Sequence, residues 1–149
     1  MMIACPDGCL GQFAMPRCYD HIDLRVRSLS EARPFYEALL PALGFTRDVR
    51  IEGWLQFESD DAGGVTEFFG VTESPEHRPN ECRVAFWADS TSEVNKLAEI
   101  AVRAGARNIE GPGYEIPQPG ETGYYAVFFE DPCGNRFEVC HRTGTKSKK

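Results

Sequence analysis

A strand leading into a capped helix occurs twice in this chain at one constant offset, and that repetition limits the open folds more than any other feature. His21-Ile22-Asp23-Leu24 falls on Arg83-Val84-Ala85-Phe86, and Ser28-Leu29-Ser30-Glu31 falls on Ser90-Thr91-Ser92-Glu93. In each quartet the serine can accept from the backbone N–H three residues on while the glutamate reaches back, which marks a helix N-terminus. Leu29, Ala32, Tyr36, Leu39, Leu40 and Leu43 form the apolar stripe of the first helix; Val94, Leu97, Ala98, Ala101 and Val102 form that of the second. Pro34 removes a donor inside the first helix and predicts a kink or a short first turn. Gly44 and Gly105 then close the helices as C-terminal caps.

Three strand-like runs follow each helix: Thr46–Glu52, Trp54–Glu58 and Val65–Val71, then Asn108–Gly111, Tyr124–Glu130 and Arg136–His141. Gly63-Gly64 and Cys133-Gly134-Asn135 close the matching hairpins. In the second hairpin Asp131 can accept backbone N–H groups, Pro132 presets φ, and Gly134 tolerates positive φ, so this turn sets the register of the last strand. The Pro- and Gly-rich connection from Gly111 to Thr122 reads as a loop over a binding mouth. A βαβββ unit cannot bury its helix-side face and its edge alone, so two copies in one chain should pair.

The hairpin pattern Phe-x-Asp-Pro-x-Gly-Asn-x-x-Glu, the opening His21-Ile22-Asp23-Leu24-Arg25-Val26, the helix with Phe35-Tyr36 and the exit Leu43-Gly44-Phe45 resemble the vicinal oxygen chelate superfamily of glyoxalases, bleomycin-resistance proteins and dioxygenases. The match covers about Tyr19 to His141. It implies an α+β fold of two tandem βαβββ modules forming a cupped mixed sheet, with the helices outside and the ligand in the concavity. The expected organisation is a flexible leader over 1–18, one domain over 19–142 with repeats at about 19–72 and 81–142, and a basic tail over 143–149. Met15, just before the domain, is a second candidate start.

Period-2 alternation assigns the faces. Ile22, Leu24, Val26, Leu55, Phe57, Val84, Phe86, Phe128, Phe137 and Val139 are expected under the helices. His21, Asp23, Arg25, Trp54, Gln56, Glu67, Phe69, Arg83, Trp87, Tyr125, Phe129, Arg136, Glu138 and Cys140 are expected in the cup.

By the same resemblance, metal-dependent members hold an ion from the starts of the first strands and the ends of the last strands of both halves. Here those places carry His21, Glu67, Arg83 and Glu138. Imidazole and carboxylate suit zinc, nickel, manganese or iron, so His21, Glu67 and Glu138 are the candidate ligands of one divalent metal. Arg83 argues against it, because guanidinium neither ligates nor deprotonates. Two readings stay open: a three-ligand site with Arg83 turned away, or a metal-free site in which Arg83 bridges Glu67 and Glu138. Glu67 and Glu138, read as symmetry mates, are the candidate catalytic acids and bases. Trp54, Phe69, Trp87, Tyr125 and Phe129 would wall the cup, and Arg25, Arg83 and Arg136 would give it cationic points, which suits a small aromatic or amphipathic ligand bearing an acidic group.

The function implied is a small-molecule-binding protein of the glyoxalase and bleomycin-resistance type. One reading makes it a metal-dependent lyase or isomerase acting on neighbouring oxygens; the other makes it a metal-free protein that sequesters an antibiotic or metabolite. A dioxygenase fits less well because the histidine expected at Arg83 is missing, and no Gly-x-Ser-x-Gly supports a hydrolase. The resemblance also implies a homodimer.

Bulk properties agree. A chain of 149 residues, 42% hydrophobic and 26% charged, suits one domain with a real core. A formal charge of −7 and a pI near 5.0 argue against nucleic acid as partner. No apolar run reaches the roughly 20 residues of a membrane helix, and no secretory signal is visible, so the expected location is the cytoplasm. The six cysteines show no spacing closer than Cys5-x-x-x-Cys9 and are read as free thiols, with only a weak zinc signal in the leader.

Overall fold

The computed structural model describes residues 18–59, 66–115 and 123–143. The leader with Cys5, Cys9 and Met15, the Gly63-Gly64 turn, the connection over 116–122 and the tail of 143–149 beyond Thr143 lie outside the described residues. The order of elements is β1 (His21–Val26), α1 (Leu29–Ala42), β2 (Arg47–Asp48), β3 (Trp54–Glu58), β4 (Phe68–Glu73), β5 (Arg83–Trp87), α2 (Thr91–Arg103), β6 (Arg107–Glu115), β7 (Tyr124–Glu130) and β8 (Arg136–Arg142). These make two βαβββ modules. Their sheets are ordered β1-β4-β3-β2 and β5-β8-β7-β6, each with one parallel pair at the β1 or β5 edge and antiparallel pairs beyond it.

Both helices start where their serines predict. Ser28 Oγ accepts from the Glu31 N–H at 3.3 Å, and Ser90 Oγ accepts from the Glu93 N–H at 3.0 Å. The end of β4 contributes as well, since Glu73 Oε2 accepts from the Leu29 N–H at 2.8 Å. Helix α1 runs on through Pro34 and Pro41. It buries Phe35 beside Tyr36, and both rings pack on Phe137 of β8, so the first helix helps to cover the second sheet. One apolar core results, shared by both modules. Val102, expected on the inner stripe of α2, is instead 51% exposed.

The turn after β7 is the best-anchored loop in the described chain. Asp131, fully buried, receives backbone N–H groups from Cys133 at 2.8 Å and Asn135 at 2.9 Å on Oδ1. On Oδ2 it receives the Tyr36 hydroxyl at 2.5 Å and the Asn135 side-chain amide at 2.9 Å. That amide also donates to the Arg25 carbonyl at 2.9 Å, and His77 Nε2 lies 3.2 Å from Asn135 Oδ1. Helix α1, the end of β1 and the linker between modules are thereby tied to one turn. Burial, and next to it the Asp131 charge, push the Tyr36 hydroxyl well above the usual phenol range, so it stays a donor.

Several boundaries differ from the sequence reading. Strand β4 begins at Phe68 rather than Val65, and β2 is reduced to Arg47–Asp48. Strand β6 continues through Gly111, Pro112 and Gly113 to Glu115 with register shifts that absorb the irregular residues, where a loop was expected from Gly111.

Gly134 sits in this turn at φ +95°, and a Cβ there would lie 2.9 Å from Pro79 Cγ. Gly134→Val should therefore cost about 1–3 kcal/mol, and Tyr36→Phe, which strips one donor from Asp131, should cost about 1–3 kcal/mol as well. Urea midpoints measure both. Unchanged midpoints would show that the turn does not hold the fold.

Candidate functional site

Glu138 lies in the middle of β8, paired with Ala85 of β5 on one side and Phe128 of β7 on the other. Its neighbours Phe137 and Val139 point into the core, so period 2 turns Glu138 to the opposite face, where it is still only 7% exposed. Its Oε1 is buried and has no hydrogen-bond partner. Burial pushes this carboxyl above the usual glutamate range; the charges of Arg83 and Arg142 and the Cys140 thiol partly offset the rise. Burial likewise raises the Cys140 thiol, helped by the Glu138 charge.

Glu138 lines a cavity of about 420 Å³ that takes walls from both sheets. The first module supplies Asp20, His21, Phe68 and Glu67, and the second supplies Ala85, Trp87, Tyr124, Cys140 and Arg142. The His21 ring stacks on Phe68 with centroids 4.4 Å apart and planes within 4°. Its Nδ1 lies 2.6 Å from Asp20 Oδ1, which fixes the ring's orientation. The Arg142 guanidinium lies over Tyr124, 4.3 Å from the ring centroid. Trp87, 73% exposed, stands at the rim.

The other expected site residues are dispersed. Trp54 lines a smaller crevice of about 150 Å³ on the first sheet, shared with Gln56, Gly70 and Thr72. Arg25 is bonded to Asp23 and borders a separate crevice with Arg136. Arg83 does not bridge the two glutamates; its guanidinium stacks over Phe128, 4.7 Å from the centroid, and it is the register partner of Arg136.

Three expected cup residues are on the other face. Phe69 and Phe129 are buried in the core, packed on Phe137, and Tyr125 turns toward α2 to donate to Asn95 Oδ1 at 2.6 Å. Phe128, expected under the helices, stands on the Glu138 face, paired with it across β7 and β8. Each error falls in a doublet of neighbouring aromatics, Phe68-Phe69, Tyr124-Tyr125 or Phe128-Phe129, where hydrophobicity cannot tell which member faces in. The cavity-lining residues missed for this reason are Phe68 and Tyr124. Arg142 was missed because it was read as lying past the last strand, which in fact extends to include it.

The register also revises the symmetry of the site. Glu138 pairs with Ala85, two residues beyond Arg83; two residues beyond His21 is Asp23, and its partner is Gly70. Gly70, not Glu67, is thus the counterpart of Glu138, and Glu67 precedes β4. The four symmetry-related places hold His21, Gly70, Arg83 and Glu138. Two donors, one hydrogen and one guanidinium do not make the donor set of a resident divalent ion. Among the described residues no three His, Cys, Asp or Glu side chains gather as a metal-binding group.

A family model described as the Glyoxalase/Bleomycin resistance protein/Dioxygenase superfamily matches residues 19–139. Among solved structures the fold is similar to a glyoxalase/bleomycin resistance protein from Albidiferax ferrireducens T118, with 25% identity, a TM-score of 0.67 and coverage of 83% of this chain and 98% of that one. It is also similar to a glyoxalase/bleomycin resistance protein/dioxygenase family enzyme from Burkholderia phytofirmans PsJN, with 19% identity, a TM-score of 0.60 and coverage of 81% and 95%. The fosfomycin resistance protein FosX from Mesorhizobium loti gives 20% identity, a TM-score of 0.55 and coverage of 90% and 98%. The last two likenesses speak for the fold alone. No curated protein matches the chain. No described helix is long and apolar enough to cross a membrane.

A carboxyl whose folded pKa is raised binds its proton more tightly in the folded state, so its ionisation weakens folding as pH rises from the unfolded value through the folded one. Glu138→Gln removes that penalty. The variant should melt higher than the wild type at neutral pH, and the gap should shrink on acidification below the ordinary carboxyl range. A gap that widens in acid would show that Glu138 is stabilised as the anion.

Proposed function

Because the chain belongs to the Glyoxalase/Bleomycin resistance protein/Dioxygenase superfamily, we propose that it binds a small organic molecule in the cavity between its two sheets, with the Glu138 carboxyl taking a hydrogen bond or a proton from it. The observation that carries this reading is the buried, unpartnered Glu138 Oε1 in the cavity wall. Leaving such an oxygen dry costs about 1–3 kcal/mol or more for a charged group, and a ligand donor would recover it. A volume near 420 Å³ with Phe68, Phe86, Trp87 and Tyr124 among its walls suits a molecule of one or two rings.

Capture is favoured over metal-assisted lyase or isomerase chemistry by the donor set. His21 is held by Asp20, Gly70 offers no side chain, and Arg83 brings positive charge to the fourth place. At the symmetry-related places Glu138 is the carboxylate and His21 is already engaged by Asp20, so the chemistry favoured here is proton transfer to Glu138 from a bound molecule already acidic at that position. Glu67, expected as the second acid, lies in the cavity wall but at an unrelated register, and we give it no proton-transfer role.

Calorimetric titration with tryptophol, a neutral indole alcohol, tests the site. It should bind at one site per chain, Trp87→Ala should weaken it about three- to tenfold, and Glu138→Gln should weaken it about tenfold by removing the charged acceptor. Absence of saturable binding, or affinity indifferent to both substitutions, would contradict the proposal.

A further inference from the structure

We propose that the molecule this cavity prefers is a protonated amine carried on an apolar or aromatic body, a polarity opposite to the acidic ligand that the arginines suggest in the sequence. The inference rests on the reading of the cavity as the ligand site and adds the charge of its occupant.

The three arginines that pointed to an acid are not on the cavity wall. Arg25 is engaged by Asp23, Arg83 lies over Phe128, and Arg136 borders other crevices. The wall instead carries three carboxylates, Asp20, Glu67 and Glu138, against Arg142 and His21. His21 is already oriented toward Asp20, and the Arg142 guanidinium lies over the Tyr124 ring. A recess with this excess of negative charge and low-dielectric walls concentrates cations. Within it Glu138 is the group that asks for a donor: it is more than nine-tenths buried, and its Oε1 receives none.

An ammonium supplies the donor the oxygen lacks and adds a contacting positive charge to the partial compensation from Arg83 and Arg142, whereas a hydroxyl supplies only the donor. The aromatic surfaces suit the same class. Tyr19 and Trp87, each 73% exposed, belong to the lining, and with Tyr124 and Phe68 they offer ring faces that attract a cation and flat area for the body attached to it. A carboxylate entering the recess would meet the unpaired oxygen of Glu138 with like charge.

Three indoles of similar size separate the two claims: tryptamine as the ammonium, tryptophol as the neutral alcohol and indolepropionate as the carboxylate. Calorimetric titration of the wild-type protein at neutral pH should place tryptamine about tenfold or more above tryptophol, with indolepropionate weakest. Added salt should weaken tryptamine and leave tryptophol nearly unmoved. Glu138→Gln should bring tryptamine and tryptophol to within about twofold of each other, while Trp87→Ala should weaken both alike. Tryptophol binding as tightly as tryptamine, or indolepropionate binding tighter, would overturn the cation preference and leave the cavity reading standing. Failure of all three to bind would remove both. A tryptamine preference that survives Glu138→Gln and ignores salt would overturn the assignment to this carboxyl.

Discussion

The hydrogen bond from Tyr36 to Asp131 is the constraint on which the rest of the molecule depends. A carboxylate with no exposed surface is tolerable only if its lone pairs are filled, and here four donors fill them: two backbone amides of its own turn, the Asn135 amide and a hydroxyl from a helix ninety-five residues away. Because Asp131 must sit under Tyr36, the turn cannot slide. Strand β8 therefore starts at Arg136 in one register, and a slip of one residue would turn Phe137 out and Glu138 into the core. The position of the candidate site is thus decided at the turn, well away from the cavity it serves.

That register also explains why the two halves, so alike in outline, differ in chemistry. Strand, capped helix and hairpin recur, yet the concave positions have diverged: His21 stands where the second half has Arg83, and Gly70 where it has Glu138. A Cβ at Gly70 would meet nothing nearer than 3.8 Å, so packing does not demand glycine there. The first half contributes an imidazole held by Asp20 and an aromatic floor in Phe68; the second contributes the buried acid and the exposed Trp87. Only across the junction of the two sheets do these parts share a cavity, which is why neither module alone would present it.

Much of the fold is legible in the residues because its signals are local. Two serine N-caps, two helical stripes and an Asp-Pro-Cys-Gly-Asn turn each state their structure within a few positions and are found, although Val102 leaves its stripe and the capping glutamates turn elsewhere, Glu31 to Arg27 and Glu93 to the Asp89 N–H. The site was less legible because it depends on strand phase. Where apolar and polar residues alternate, as in Arg136-Phe137-Glu138-Val139, the face was read correctly. Where two aromatics adjoin, both members satisfy a buried position, and only the pairing Phe129 with Phe137 decides that Phe128 joins Glu138. The start of β4 failed for a related reason: Val65, Thr66 and Glu67 have strand-forming character, but the parallel pairing with β1 begins at Phe68. Three residues of error there made Glu67 look like the mate of Glu138. The charge of the cavity was hidden as well, since it emerges from which arginines are spent elsewhere, on Asp23 or on Phe128, and such partnerships have no sequence signature.

The central claim is that Glu138 is a desolvated carboxyl, one of whose oxygens, Oε1, is kept without a partner for the molecule that fills the cavity. The most direct measurement is the carboxyl ¹³C shift of Glu138, assigned by loss of its signal in Glu138→Gln and followed through an acid titration of the ligand-free protein. The account predicts a midpoint above that of the exposed glutamates in the same spectra, because burial disfavours the anion more than Arg83 and Arg142 favour it. A midpoint at or below theirs would mean that the carboxylate is already solvated or paired, and the site as described would not exist.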